Sequence, residues 1–137
     1  MSIKVFFVVF FCMLFAHKIA DYNLQGCLAD LKQKEWWQKQ LGGLPLHETI
    51  YKNDWKVALL MHSFSWAFCI MVPVLFAGMW KHLGASSVLL VANTAIHFYV
   101  DDLKANKHCI NLVEDQGLHF LQIICILAVS AVVLNFL

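Results

Sequence analysis

His17, His62, His97 and His119 lie within or at the edge of long apolar runs, and Asp21, Asp101 and Asp115 each stand four residues from one of them. The stretches "HKIAD" and "HFYVD" run from histidine to aspartate, and "DQGLH" runs from aspartate to histidine. On a helix an i, i+4 spacing stacks both side chains on one face, a turn apart. Imidazole nitrogen and carboxylate oxygen are ligands for a divalent ion. With no thiolate in the set, zinc comes first, and iron or manganese next. Four imidazoles and three carboxylates suffice for one or two ions, as His17, Asp21, His62, His97, Asp101, Asp115 and His119. An ion with an open position acidifies a bound water at neutral pH, which hydrolysis requires. Asp21, Asp101 and Asp115 then complete the coordination, act as base, or accept an imidazole N–H and orient the ring. Without metal, the same groups form interhelical hydrogen bonds worth about 0.6–2 kcal/mol each.

These residues must be held by the elements around them. Apolar runs cover residues 3–20, 57–80, 83–100 and 118–137, each long enough at 1.5 Å per residue to cross a hydrocarbon core of roughly 30 Å. The chain of 137 residues is 61% hydrophobic and 14% charged, with mean hydropathy +0.66. That composition is far from a soluble domain's. Backbone satisfaction in lipid requires helices, so the expected fold is all-α, a polytopic integral membrane four-helix bundle forming one transmembrane domain over residues 1–137. The opening "MSIKVFFVVFFCMLFA" reads as a retained span, because Leu14 spoils a small-x-small cleavage site before Ala16. Pro73 is expected to bend the second span. In the 21–56 loop, Leu24, Leu28 and Leu31 followed by Trp36 and Trp37 predict an amphipathic interfacial helix over about 24–41. The tryptophans serve as its anchors, and Gly42–Gly43 ends it.

Lysine placement orients the spans. Lys32, Lys34, Lys39, Lys52 and Lys56 fall in the first loop and Lys104 and Lys107 in the third, against Lys4 and Lys81 opposite. The 21–56 and 101–117 loops are therefore expected in the cytoplasm of a bacterial cell, the inner membrane around the spans, and both termini outside. With spans alternating in direction, all four histidines reach one depth beneath the cytoplasmic face. The three aspartates form a layer about 6 Å nearer the cytoplasm. The His–Asp order reverses as the helices reverse, which a chance scatter would not do. Ionisable groups inside spans are costly and face the bundle interior, where they pair or bind something.

Other residues narrow the function. Every basic side chain is lysine, so bidentate phosphate or base recognition by arginine has no candidate and nucleic acid is excluded as a partner. Lys104, three residues beyond Asp101, pairs with that carboxylate or attracts the anionic part of a small-molecule or lipid substrate. Gln25 and Gln116 position a ligand or cap a helix. Ser63 and Ser65 flank His62, so a Ser-His-Asp triad can be written with these residue types, but its geometry cannot be read from spacing. His47, His82, His108 and Asp102 are expected in solvent. The five scattered cysteines read as free thiols.

Taken together, "HKIADYNLQ", "LLMHSFSW", "IHFYVDDLKANK" and "EDQGLH" resemble a bacterial and bacteriophage family of small membrane proteins, the domain of unknown function family 3307. The match covers His17, Asp21 and Gln25; His62; His97, Asp101 and Lys104; and Asp115, Gln116 and His119. The Trp- and Lys-rich first loop departs from that pattern. The family implies no activity of its own. A remoter similarity to small membrane-bound metal-dependent hydrolases implies hydrolysis. The leading expectation is a membrane metal-dependent hydrolase, with zinc at the His/Asp set and Lys104 on the substrate. A small transporter or channel for a metal ion or proton is the first alternative. A phage-encoded membrane accessory or interaction protein without catalysis is the second, and a homo-oligomer is compatible with any of the three.

Overall fold

The computed structural model describes residues 1–136. Among these the chain is all-α: α1 (Ile3–Lys18), α2 (Leu28–Leu31), α3 (Lys34–Gln40), α4 (Asp54–Phe76), α5 (Leu83–Ala105) and α6 (Leu112–Phe136). Four helices are long and apolar enough to cross a membrane, α1 being counted with the turn that follows it. Contacts close these four into a ring, α1 against α4 and α6, and α5 against α4 and α6.

The inward faces follow helical spacing. On α4 the buried side chains are Trp55, Ala58, Leu59, His62, Ser63, Trp66, Ala67, Ile70, Met71 and Val74, steps of three and four that trace one stripe. The stripe is apolar at one end and polar at the other. Met13, Ile70, Met71, Val74, Ile123 and Leu127 fill the apolar end and are at most 2% exposed. The outward surface carries Phe7, Phe11, Phe15, Phe64, Phe68, Val88, Val91 and Val132. A helix set that hides histidine and aspartate while exposing phenylalanine has the inverse of a water-soluble arrangement.

Several boundaries move from their expected places. The first helix passes at Ile19–Asn23 into a π turn, closed by Leu24 N–H to the Ile19 carbonyl at 2.8 Å. The second begins at Asp54 and ends at Phe76, before Gly78 at φ 128°, so residues 77–80 lie beyond it and Pro73 sits inside its last turn. The third continues from 100 to Ala105. The fourth begins at Leu112, six residues before 118, and the expected end at Leu137 lies outside the described residues. Its early start has a local cause. Asn111 Oδ1 accepts the N–H groups of Val113 and Glu114, and Glu114 returns a carboxylate oxygen to Asn111 N–H, a capping box in "NLVE".

The 24–41 helix forms as two pieces, α2 and α3, because Gln33 is extended between them. They do not lie as a straight interfacial rod. Trp37 donates Nε1–H to the Leu31 carbonyl at 2.8 Å and stacks on Tyr51 at 5.5 Å between ring centres. With Leu41 and Phe98 it packs against a small cluster of Leu46, Trp55 and Leu59. The segment thus folds back over the polar end of the ring.

Candidate metal centre

Each of the four long helices supplies part of the centre. The π turn of the first carries Asp21; α4 supplies His62, α5 His97 and Asp101, and α6 Asp115 and His119. All six are buried, the histidines at most 1% exposed. The imidazole Nε2 atoms converge on Asp101. His119 Nε2 lies 3.3 Å and His97 Nε2 3.6 Å from Asp101 Oδ1, while His62 Nε2 lies 3.3 Å from Oδ2. The Nε2 atoms of His62 and His97 are 3.3 Å apart. Asp21 Oδ1 stands 3.5 Å from His62 Nε2, and Asp115 Oδ1 stands 3.3 Å from His119 Nε2.

Two groups of donor atoms result, Asp21–His62–His97 and His97–Asp101–His119, each within 4.8 Å, and either could hold a metal ion. Bonds of about 2.0–2.1 Å at tetrahedral angles separate neighbouring ligand atoms by roughly 3.3–3.4 Å, close to the 3.3–3.6 Å between the donor pairs above. His97 belongs to both groups and Asp101 lies between them. One ion, or two sharing these residues, fits the donor set.

His17 stands outside both groups, although its spacing matched the other histidines. Trp66 Nε1–H, an obligate donor, reaches His17 Nδ1 at 2.8 Å. The ring proton is therefore on Nε2, which donates to Gln116 Oε1 at 3.0 Å. That orients the amide so that its Nε2 donates to Asp21 Oδ2 at 2.9 Å and Asp115 Oδ2 at 3.0 Å. His17 is thus tied to the two outer carboxylates through Gln116, with neither nitrogen free. The π turn shifts Asp21 out of α-helical register with His17 and toward His62. Trp66 also stacks on His97 at 4.1 Å and 17°, and His97 on His119 at 4.2 Å and 28°. This stack sets the tilt of two imidazoles.

Two lysines close the polar end. Lys104 pairs with Asp115 Oδ2 at 2.6 Å, across to α6 rather than along its own helix to Asp101. Asp101 Oδ2 is taken by Lys32, also at 2.6 Å. Lys32 arrives on the folded-back segment, which Asn106, the residue capping α5, pins. Its Oδ1 accepts Lys34 N–H at 2.8 Å and its Nδ2 reaches the Lys32 carbonyl at 3.2 Å. Asp102, expected in solvent, is 7% exposed and holds Asn106 Nδ2 at 3.1 Å and Lys107 Nζ at 2.9 Å. The hydrogen bond to Asp102 raises the Lys107 ammonium above the usual lysine range.

The remaining candidates separate cleanly. Ser63 and Ser65 hydroxyls donate to the Leu59 and Met61 carbonyls one turn back, so neither addresses a histidine. His47 and His108 are exposed beside Glu48 and Glu35. Gln25 Nε2 donates to the Asp21 carbonyl, bracing the π turn. Away from the centre, Gln122 Nε2 donates to the Asn93 carbonyl at 2.8 Å and also to Asn93 Oδ1, a buried polar pair that span hydropathy hides.

Sequence reasoning missed Lys32 and Trp66. Trp66 lies four residues after His62 in "HSFSW", a local signal of a shared face. Lys32 has no local signal, since its position depends on the break at Gln33. Comparison of the chain with family models, with curated proteins and with solved structures finds no match in any of the three, so a reading of function rests on this site.

Proposed function

We propose that this chain is an integral membrane protein of the bacterial inner membrane that binds a divalent ion, zinc first, and hydrolyses an anionic substrate at the cytoplasmic leaflet. The observation that carries the reading is the convergence of three buried imidazole Nε2 atoms on Asp101, with Asp21 and Asp115 flanking. Phenylalanine outside and charge inside support lipid as the surrounding solvent. The lysine-rich loops support the cytoplasmic side for the site and the outer side for both termini.

In this scheme His97, Asp101 and His119 hold one ion, Asp21 and His62 with His97 hold that ion or a second, and Asp115 flanks His119. An ion bound there supplies Lewis acidity and lowers the pKa of a coordinated water. Asp115 or Asp21, whichever is not a ligand, accepts the proton, and the leaving group takes it up afterwards. Trp66, His17 and Gln116 orient these groups without touching the reaction. Lys104 faces the substrate. The resemblance to the family 3307 proteins agrees with this placing of His and Asp and names no substrate.

Metal analysis of purified wild type and of the His97→Ala/His119→Ala double variant tests the proposal. Wild type is expected to hold about one or two zinc ions per chain and the double variant background levels. A wild type free of stoichiometric metal sinks it.

Transport is the second reading, favoured by the buried Asn93–Gln122 pair, which extends polarity about one helical turn past His97 and His119. Against it, Met13, Ile70, Met71, Ile123 and Leu127 fill the core beyond that pair. Ion flux into proteoliposomes would reverse the ranking.

A further inference from the structure

Beside the centre, a cavity of about 350 Å³ opens between α2, the end of α5 and the loop after it, walled by Gln25, Lys32, Gln33, Asp101, Lys104 and His108. It borders a residue of the donor groups, Asp101. Its wall therefore decides what can approach that carboxylate.

Charge balance gives the wall its chemistry. Asp21, Asp101 and Asp115 are three carboxylates, and Lys32 and Lys104 are the two ammonium groups paired to them. Without a metal both ammonium groups are occupied by carboxylates, Lys32 by Asp101 and Lys104 by Asp115, at 2.6 Å each. With imidazoles neutral, as ligands must be, a bound divalent ion leaves the cluster with one net positive charge. Asp101 Oδ1, which faces His97 and His119, is the donor to that ion, while Lys32 stays on Oδ2 and lines the cavity with its ammonium. Lys104 lines the same space from α5. Gln25 Oε1 is shielded from solvent and has no hydrogen-bond partner, an acceptor suited to a ligand hydroxyl. Two ammonium donors, a divalent ion and a hydroxyl acceptor around one cavity match a phosphate ester better than a single carboxylate.

We infer that this cavity is a phosphoryl-binding subsite, admitting a phosphate ester only after the divalent ion has bound, with Lys32 and Lys104 donating to its oxygens from two sides. The inference rests on the metal reading above and adds its substrate class and order of binding. Either a lipid headgroup or a soluble phosphate ester carries this chemistry.

The test reads zinc content and phosphate affinity separately. Detergent-purified protein, zinc-loaded or metal-stripped, is titrated calorimetrically with inorganic phosphate, alongside Lys32→Met and Lys104→Met, which keep much of the apolar stem. Binding is expected in the zinc-loaded form alone, weakened by about tenfold or more in each variant while zinc stoichiometry stays at the wild-type value. Equal binding by metal-stripped protein, or wild-type affinity in both variants, overturns the inference and leaves the metal centre standing. A wild type that takes up no zinc overturns both. In a second arm the zinc-loaded protein is placed in nanodiscs of phosphatidylcholine with or without phosphatidic acid. Competition by phosphatidic acid supports the subsite with a lipid source, and undiminished phosphate binding supports it with a soluble one.

Discussion

Asp101 is the residue on which the centre turns. It approaches three imidazoles and one ammonium, and it lines the cavity beside them. Gln116 works differently, passing the orientation of Trp66 and His17 on to two carboxylates. Gln116→Leu keeps all six donor residues but removes that relay. We expect zinc affinity to fall about 10–100-fold with stoichiometry unchanged at saturation, measured by competition with a chromogenic chelator. Trp66→Phe, which keeps the stack and loses the N–H, is expected to lower affinity in the same direction and by less. Acid should release the ion as well, because protons compete for imidazole nitrogen. Affinity measured from about pH 7.5 to about 5.5 is expected to fall steadily, and a flat profile would exclude histidine ligation.

At the scale of elements, helix ends place the chemistry. The capping box at Asn111 starts α6 early enough for Asp115 and His119 to share one helix face. Asn111→Ala removes the side-chain acceptor and is expected to cost about 1 kcal/mol, read as a lowered melting temperature in detergent, with zinc affinity reduced because Asp115 sits in the frayed turn. At the far end Gly78 has φ 128°, and an added Cβ would meet Leu134 Cδ2 at 3.1 Å. Gly78→Ala is expected to destabilise by about 1–3 kcal/mol without touching zinc binding, since α4 ends there, far along the chain from His62. Legibility differed between these two kinds of end. The spans were readable from hydropathy because lipid demands about 20 apolar residues in a row. Their polar ends were not, because hydropathy stops marking a helix at its first charged turn.

The whole molecule is inside out by soluble standards, and this leads to a prediction about sidedness. Cys27 and Cys109 are exposed free thiols in segments at the His/Asp end. With the proposed topology, a membrane-impermeant maleimide is expected to label both in inverted inner-membrane vesicles and neither in intact spheroplasts. The opposite pattern would move the site to the outer face. The ring of four helices also explains why the polar cluster is tolerated. Each carboxylate has a cationic or amide partner from another segment, Asp101 from Lys32, Asp115 from Lys104, Asp21 from Gln116. Removing a single lysine therefore leaves a buried carboxylate without its ammonium.

By itself the sequence determined that the chain is all-α, that four stretches are apolar enough to span a membrane, and that Asp21, Asp101 and Asp115 each stand one helical turn from a histidine of a row formed by His17, His62, His97 and His119. Those properties follow from run length and from the i, i+4 geometry, both local in the chain. Tertiary structure alone decided that His17 turns to Trp66 and Gln116, and that Lys32 meets Asp101 while Lys104 meets Asp115. Each of these depends on a π turn, a break at Gln33 or a partner about 10 to 100 residues away, and a partner's distance along the chain carries no signature in the residues themselves.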